Sequence, residues 1–252
     1  MPLWIAAPDF TRDLDLALDE LSYLLDLTAQ VKSHPASYSH CLDGCYLSLL
    51  FEKPSLRTRL TFELAIKQLG GDAVLNNGPI GNREPLQDVA RNLDRWTDAI
   101  VARTFLQKTI EELAHWSGVP VINALSDMYH PCQALADLFT VKERFERLPG
   151  LKLAFVGDGN NVAHSLMLTA TRLGVDVAVA TPRGYEPNSE VVREAQGLAA
   201  VAGTKLTVTN DPITAVNNAH AVYTDVWASM GQESQAGKRR QDFQPYQVTE
   251  AL

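Results

Sequence analysis

The sequence is short of cysteine, of positive charge and of long apolar runs, and each shortage removes a class of protein. Cys41, Cys45 and Cys132 are its only cysteines. An odd count without a C-x-x-C pair argues against a disulfide framework and against a structural zinc site, and fits a reducing cytoplasm. Acidic residues number 30 against 22 lysines and arginines, a net charge of -8, which argues against a nucleic-acid partner, since that would want a basic face. A small anion stays open as a ligand, because a local arginine cluster can overrule the net field. No segment approaches the roughly 18 apolar residues that signal a membrane span. Met1 to Phe10 lacks the basic and apolar regions of a secretory signal. Repeats, low-complexity tracts and charge blocks are missing too.

What is present is the composition of a globular protein, 46% hydrophobic and 21% charged over 252 residues. That is enough for two domains whose cores need neither metal nor disulfide. Leu14, Leu18, Leu21, Leu24, Leu25 and Val31 recur at helical spacing, so the chain opens with an amphipathic helix. Short apolar runs then alternate with helical stretches. Strands are expected at 46–51, 72–75, 99–102 and 120–123, with helices at 57–69, 85–96, 109–116 and 131–145. After Pro149-Gly150 come strands at 151–156, 176–180, 205–209 and 219–224, with helices at 162–173 and 189–201. Strands alternating with helices give an α/β fold with parallel sheets covered on both faces. The expectation is two doubly wound parallel-sheet domains, residues 1–148 and 149–252, joined by the helix around Pro131.

The segment from Leu47 to Arg59 runs out of a buried strand, through Lys53-Pro54-Ser55, into a helix. A helix start offers unpaired N–H groups and the positive end of a dipole to an anion. Ser55 and Thr58 add hydroxyls, and Arg57 adds a planar fork that fits a phosphate edge. Ser55 could instead simply cap the helix, with the arginines on a solvated face. Against this, cations in a first turn oppose the dipole unless an anion sits there.

Pro54-Ser55-Leu56-Arg57-Thr58-Arg59 resembles the S-x-R-T-R signature of the aspartate and ornithine carbamoyltransferases, where it binds carbamoyl phosphate. Asp98-Ala99-Ile100-Val101-Ala102-Arg103 is similar to the family strand that ends in a substrate arginine. His130-Pro131-Cys132-Gln133-Ala134-Leu135-Ala136-Asp137 resembles the family's H-P-x-Q-x-L-x-D segment. The resemblance implies that Ser55, the Leu56 amide, Arg57 and Thr58 hold the phosphate. It implies that Arg103 and His130 serve the carbonyl oxygen and Gln133 the carbamoyl amine. Taken alone, a histidine before a proline more often marks a helix entry than a catalytic group.

The run Val156-Gly157-Asp158-Gly159-Asn160-Asn161 invites a dinucleotide reading, but the third glycine is missing and no acidic residue follows Ala180-Thr181-Pro182. Both departures argue against a nicotinamide cofactor. The run resembles instead the G-D-x-x-N loop of the ornithine enzymes, in which Asn161 would contact the amino acid. Thr224-Asp225-Val226-Trp227-Ala228-Ser229-Met230-Gly231 is similar to their D-x-W-x-S-M-G loop. By that match Asp225 pairs with the ornithine α-ammonium, while Ser229 and the Met230 backbone hold its carboxylate and close over the site. The first domain is then the carbamoyl-phosphate-binding domain. The second is a Rossmann-like ornithine-binding domain, incomplete at its C-terminal end because the family's H-C-L-P motif is not reached by Leu252.

The implied activity is transfer of a carbamoyl group from carbamoyl phosphate to ornithine, with no metal or organic cofactor and a homotrimer or trimer-based oligomer as assembly. Pro79 falls where the family's neighbouring subunit supplies a polar phosphate contact, which Asn77, Asn82 or Arg83 would have to replace. Three alternatives stay open at this point: a different acceptor amine such as acetylornithine or putrescine, a carbamoyl-phosphate-binding homologue without turnover, and a dinucleotide-binding module. Asp225 speaks against a blocked α-amine, which would carry no charge for it to pair with.

Overall fold

The computed structural model describes residues 5–228 and 233–252. The chain separates into two compact units, Met1–Gln133 and Ala134–Leu252, each built on a four-stranded sheet in which every pairing is parallel.

The first unit runs α1 (Leu18–Ser33), β1 (Tyr46–Phe51), α2 (Leu56–Gln68), β2 (Asp72–Asn77), α3 (Leu86–Leu93), β3 (Ala99–Arg103), α4 (Gln107–Trp116) and β4 (Val121–Leu125). Helix α5 (Pro131–Phe145) carries the boundary between the units. The second unit runs β5 (Lys152–Val156), α6 (Asn161–Arg172), β6 (Asp176–Ala180), α7 (Ser189–Ala202), β7 (Leu206–Thr209), α8 (Pro212–Val216), β8 (Ala221–Tyr223) and α9 (Ala236–Phe243).

The sequence of β1 shows why its sheet is covered twice. Leu47, Leu49 and Phe51 project to one face and pack with Ile66 of α2 and with Val101 and Ala124. Leu50 projects to the other, against Ala90 of α3 and Ile110 and Leu113 of α4. A strand buried on both faces reads as a continuous apolar run rather than an alternating one. The exception is Ser48, whose buried hydroxyl lies 3.0 Å from the Thr97 hydroxyl, so its polar atom is paired rather than stranded.

Two departures from the expected elements have identifiable causes, the first local and the second tertiary. Leu14 lies outside α1, because the Asp15 carboxylate accepts from the Thr11 amide at 2.6 Å and the Arg12 amide at 3.0 Å and holds a turn there. The helix starts only where Glu20 reaches back to accept from the Ala17 amide at 2.7 Å. Helix α9 was not expected at all, since Ala236–Phe243 is mostly polar; it is anchored by Phe243 and, unusually, by Arg239, both buried.

The strand orders decide where ligands can bind. The first sheet reads β2-β1-β3-β4 and the second β7-β6-β5-β8. In each, successive strands leave a central pair in opposite directions, β1 with β3 and β5 with β8. A parallel sheet opens a crevice at the carboxyl ends of the strands where its order reverses in this way. Those ends carry Glu52–Arg57 and Arg103 in one unit, and Gly157–Asn161 and Thr224–Trp227 in the other.

Candidate functional site

At the first reversal point, β1 ends in Phe51 and the chain turns through Pro54 into α2. Ser55 occupies the position before the first turn, with φ -156° and ψ 107°, yet its hydroxyl caps no helical N–H. The reading of Ser55 as a plain helix cap therefore fails, and the helix start carries no acidic residue in its first turn. From the neighbouring strand, Arg103 directs Nη1 to the Thr58 hydroxyl at 3.3 Å. Arg103 is buried, and its Nε has no hydrogen-bond partner. Burial, then the charge of Arg57, lowers its pKa.

Further cationic groups crowd the same place. Burial, then Arg103, lowers the pKa of Lys53, while Asp127 and Glu52 oppose the shift; its ammonium sits 4.7 Å from the centre of the Phe105 ring. Arg59 has a buried Nε without a hydrogen-bond partner and, with Phe51, Glu52, Ser55, Leu56 and Gly78, lines a cavity of about 520 Å³. Lys53, Arg57 and Arg103 thus converge in a chain of net charge -8. Such convergence is costly without an anion and favourable with one.

His130 precedes α5, and its carbonyl accepts from the Gln133 amide at 3.1 Å, so both residues belong to one turn. Burial, then Arg103, pushes the imidazole down to about 4. It is neutral at pH 7, able to donate a hydrogen bond but not a cationic acid. A polar network fixes the loop before it: Ser126 donates to Gln107 Oε1 at 2.6 Å, and the Tyr129 amide donates back to the Ser126 hydroxyl at 3.0 Å. Glu52 ties the other loops together, accepting from the Phe105 amide at 2.8 Å and the Ile80 amide at 3.2 Å. Sequence reasoning passed over Glu52, Lys53 and Arg59 as site residues. The cationic pair could have been suspected from their place in the same thirteen-residue segment.

At the second reversal point the groups are bonded to one another. Asn160 caps α6, its Oδ1 accepting from the Val162 and Ala163 amides at 3.0 and 3.2 Å, while its Nδ2 donates to Asp225 at 3.3 Å. Asn161, the residue singled out from sequence, is the first of α6, and its neighbour Asn160 is hydrogen-bonded to Asp225. Gly159 admits no side chain, since a Cβ there would meet the Pro187 nitrogen at 2.3 Å. Ser229 and Met230 lie outside the described residues. A larger cavity of about 1050 Å³ in this unit is lined by Arg183, Tyr185, Asp242 and Tyr246 and by neither Asn160 nor Asp225.

Both halves of the chain match family models. Residues 9–143 match the carbamoyl-P binding domain of aspartate/ornithine carbamoyltransferase, and residues 149–252 match its Asp/Orn binding domain. The chain belongs to the aspartate/ornithine carbamoyltransferase family. An ornithine carbamoyltransferase of Anoxybacillus flavithermus is 49% identical over 249 residues, 97% of this chain and 79% of that protein. One from Listeria monocytogenes is 45% identical over 98% of this chain and 79% of its own length. Among solved structures, the ornithine carbamoyltransferase of Pyrococcus furiosus superimposes with a TM-score of 0.94 at 44% identity, covering 99% of this chain and 81% of that one. The family assignment and the α/β class with two parallel sheets stand as expected from sequence. No described helix is long and apolar enough to cross a membrane.

Proposed function

We propose that the chain transfers the carbamoyl group of carbamoyl phosphate to the δ-amine of L-ornithine, giving citrulline and phosphate. The observation that carries this reading is the set of cations at the end of β1 and β3, in a protein whose relatives are named ornithine carbamoyltransferases.

In this reading Ser55, the Leu56 amide, Arg57 and Thr58 hold the phosphate, and Gln133 accepts from the carbamoyl amine. The neutral δ-amine attacks the carbamoyl carbon, and the oxygen that gains charge is met by Arg103 and by the neutral His130 N–H. A donor placed for a developing oxyanion contributes about 2.7–4 kcal/mol in comparable sites. The C–O bond to phosphate then breaks, and the phosphate takes up the proton shed by the attacking nitrogen and leaves toward Arg57 and the start of α2, where the dipole stabilises it. Asn161 and Asp225 bind the amino acid, the carboxylate of Asp225 pairing with the α-ammonium; Ser229 and Met230 are assigned to its carboxylate.

Citrulline formation from carbamoyl phosphate and ornithine is the direct test. Arg57→Ala should lower kcat/KM by about a thousandfold, or about 4 kcal/mol. Arg57 is exposed, so the melting temperature should hardly move. A fully active Arg57→Ala would remove the phosphate site as read here.

The resemblance further implies a cytoplasmic enzyme of arginine synthesis and a trimer. One feature supports self-association: Leu56, Leu60 and Leu64 form an exposed stripe along α2. Apolar stripes of this kind mark interfaces. Light scattering should give the mass of three chains, and Leu60→Glu with Leu64→Glu should give that of one. A monomeric parent would end the trimer reading.

A further inference from the structure

Helix α9 looks solvent-exposed in sequence, yet it buries an arginine. Arg239 is only 6% exposed, and Asp158 opposite it 7%. The Nη1 of Arg239 donates to Asp158 Oδ2 and to the Trp227 carbonyl, both at 2.8 Å. The guanidinium plane lies against two aromatic rings, 4.8 Å from the centre of Tyr185 and 5.7 Å from that of Phe243. Tyr185 is held in turn by its hydroxyl, which donates to Asp242 at 2.8 Å.

The two acceptors belong to different loops. Asp158 sits in the turn after β5, two residues before Asn160 and three before Asn161. Trp227 sits in the segment after β8, two residues beyond Asp225 and two before Ser229. One side chain therefore joins the two segments that flank the reversal point of the second sheet. Nearer to the crevice, the same strand ends are also linked by the Thr224 hydroxyl, which donates to the Val156 carbonyl at 2.8 Å, and by Asn160 Nδ2, which donates to Asp225 at 3.3 Å.

We propose that Arg239 is a positioning residue for the amino-acid site, which sets the distance between the Asp225 segment and the Asn160–Asn161 turn by holding Trp227 and Asp158 together. This rests on the reading of Asp225 and Asn161 as ornithine ligands. Arginine suits the task because its rigid fork and flat face can meet acceptors at the edge and aromatic rings on the plane at once. Lysine keeps the charge opposite Asp158 but loses the flat face.

The test uses Arg239→Lys, Arg239→Gln and Asp158→Asn in the full chain, read two ways. In turnover, Arg239→Gln should raise the KM for ornithine at least tenfold and leave the KM for carbamoyl phosphate within twofold. Arg239→Lys should fall between it and the parent. In hydrogen exchange without any substrate, the amides of Asp225–Ala228 should exchange at least tenfold faster in Arg239→Gln and Asp158→Asn, with α6 and α7 unchanged. Equal increases in both KM values, or unaltered exchange in the Asp225–Ala228 segment, would overturn the proposal. If Arg239→Gln does not fold, Arg239→Lys decides by the same two readings. A parent chain that forms no citrulline would refute the assigned function instead, and the exchange result would then judge the clamp by itself.

Discussion

The two sheets obey one topological rule and equip their reversal points in opposite ways. In the first unit the functional groups are under-committed. Ser55 caps nothing, Arg103 and Arg59 keep a buried Nε unpaired, and Lys53, Arg57 and Arg103 crowd together. In the second unit the groups mostly bond to one another, Asn160 to Asp225 and Arg239 to Asp158 and Trp227, although the buried Nε of Arg239 also has no hydrogen-bond partner. The first arrangement stores unsatisfied donors for an anion that supplies their acceptors. The second holds a shape for an amino acid that carries both charges itself. Electrostatic preorganisation is therefore concentrated where charge moves during the reaction, and geometric preorganisation where it does not.

Arg103 offers the largest break. Arg103→Met keeps the bulk and removes the fork that contacts Thr58 and faces the developing oxyanion. It should lower kcat/KM by about a thousandfold, near 4 kcal/mol, measured as citrulline formation. The imidazole of His130 would also lose its repelling neighbour, so its pKa should move back up in a histidine NMR titration. A mutant that keeps its turnover would place the charge stabilisation elsewhere.

His130 sharpens the contrast through pH. Burial and Arg103 hold it down to about 4 in the folded chain, whereas an unfolded histidine titrates near 6.5. Between those values the unfolded state binds more protons than the folded one, so stability falls as pH is lowered through the window. Above about 6.5 the penalty is absent; by pH 4 it amounts to about 3 kcal/mol. Urea unfolding at pH 7 and pH 4 should show the parent losing about that much more stability than His130→Asn. Equal losses would mean that the folded imidazole protonates freely.

How much of this was legible depends on how far apart in the chain each group's partners lie. Ser55, Arg57 and Thr58 share one short segment that must turn from a strand into a helix, so the order of residues alone placed them together. The continuous apolar run of β1 likewise acts over a few residues. Asn160 and Arg239 escaped because their partners are 65 and 81 residues away. Nothing local separates Asn160 from Asn161, or a buried Arg239 from the exposed Arg240 beside it. Lys53 shares the short segment with Ser55 and Arg57, but the burial and the proximity of Arg103 that lower its pKa are set by tertiary structure.

Asp225 gives the smallest of the three effects and bears most directly on the second unit. Its carboxylate accepts from Asn160 Nδ2 at 3.3 Å and from its own neighbour, the Val226 amide, at 2.7 Å. Asp225→Asn preserves the size and can still accept the backbone bond, while removing the charge proposed to pair with the α-ammonium. A charged hydrogen bond contributes about 1.5–3 kcal/mol, so the KM for ornithine should rise roughly thirtyfold, near 2 kcal/mol. The KM for carbamoyl phosphate should stay within twofold, because the cationic cluster of the first unit does not use Asp225. If both constants rose together, the division of labour between the two reversal points would fail. If neither rose, the ammonium would need another partner, and the contact of Asn160 with Asp225 would be a structural link between β5 and β8 rather than one wall of a binding site.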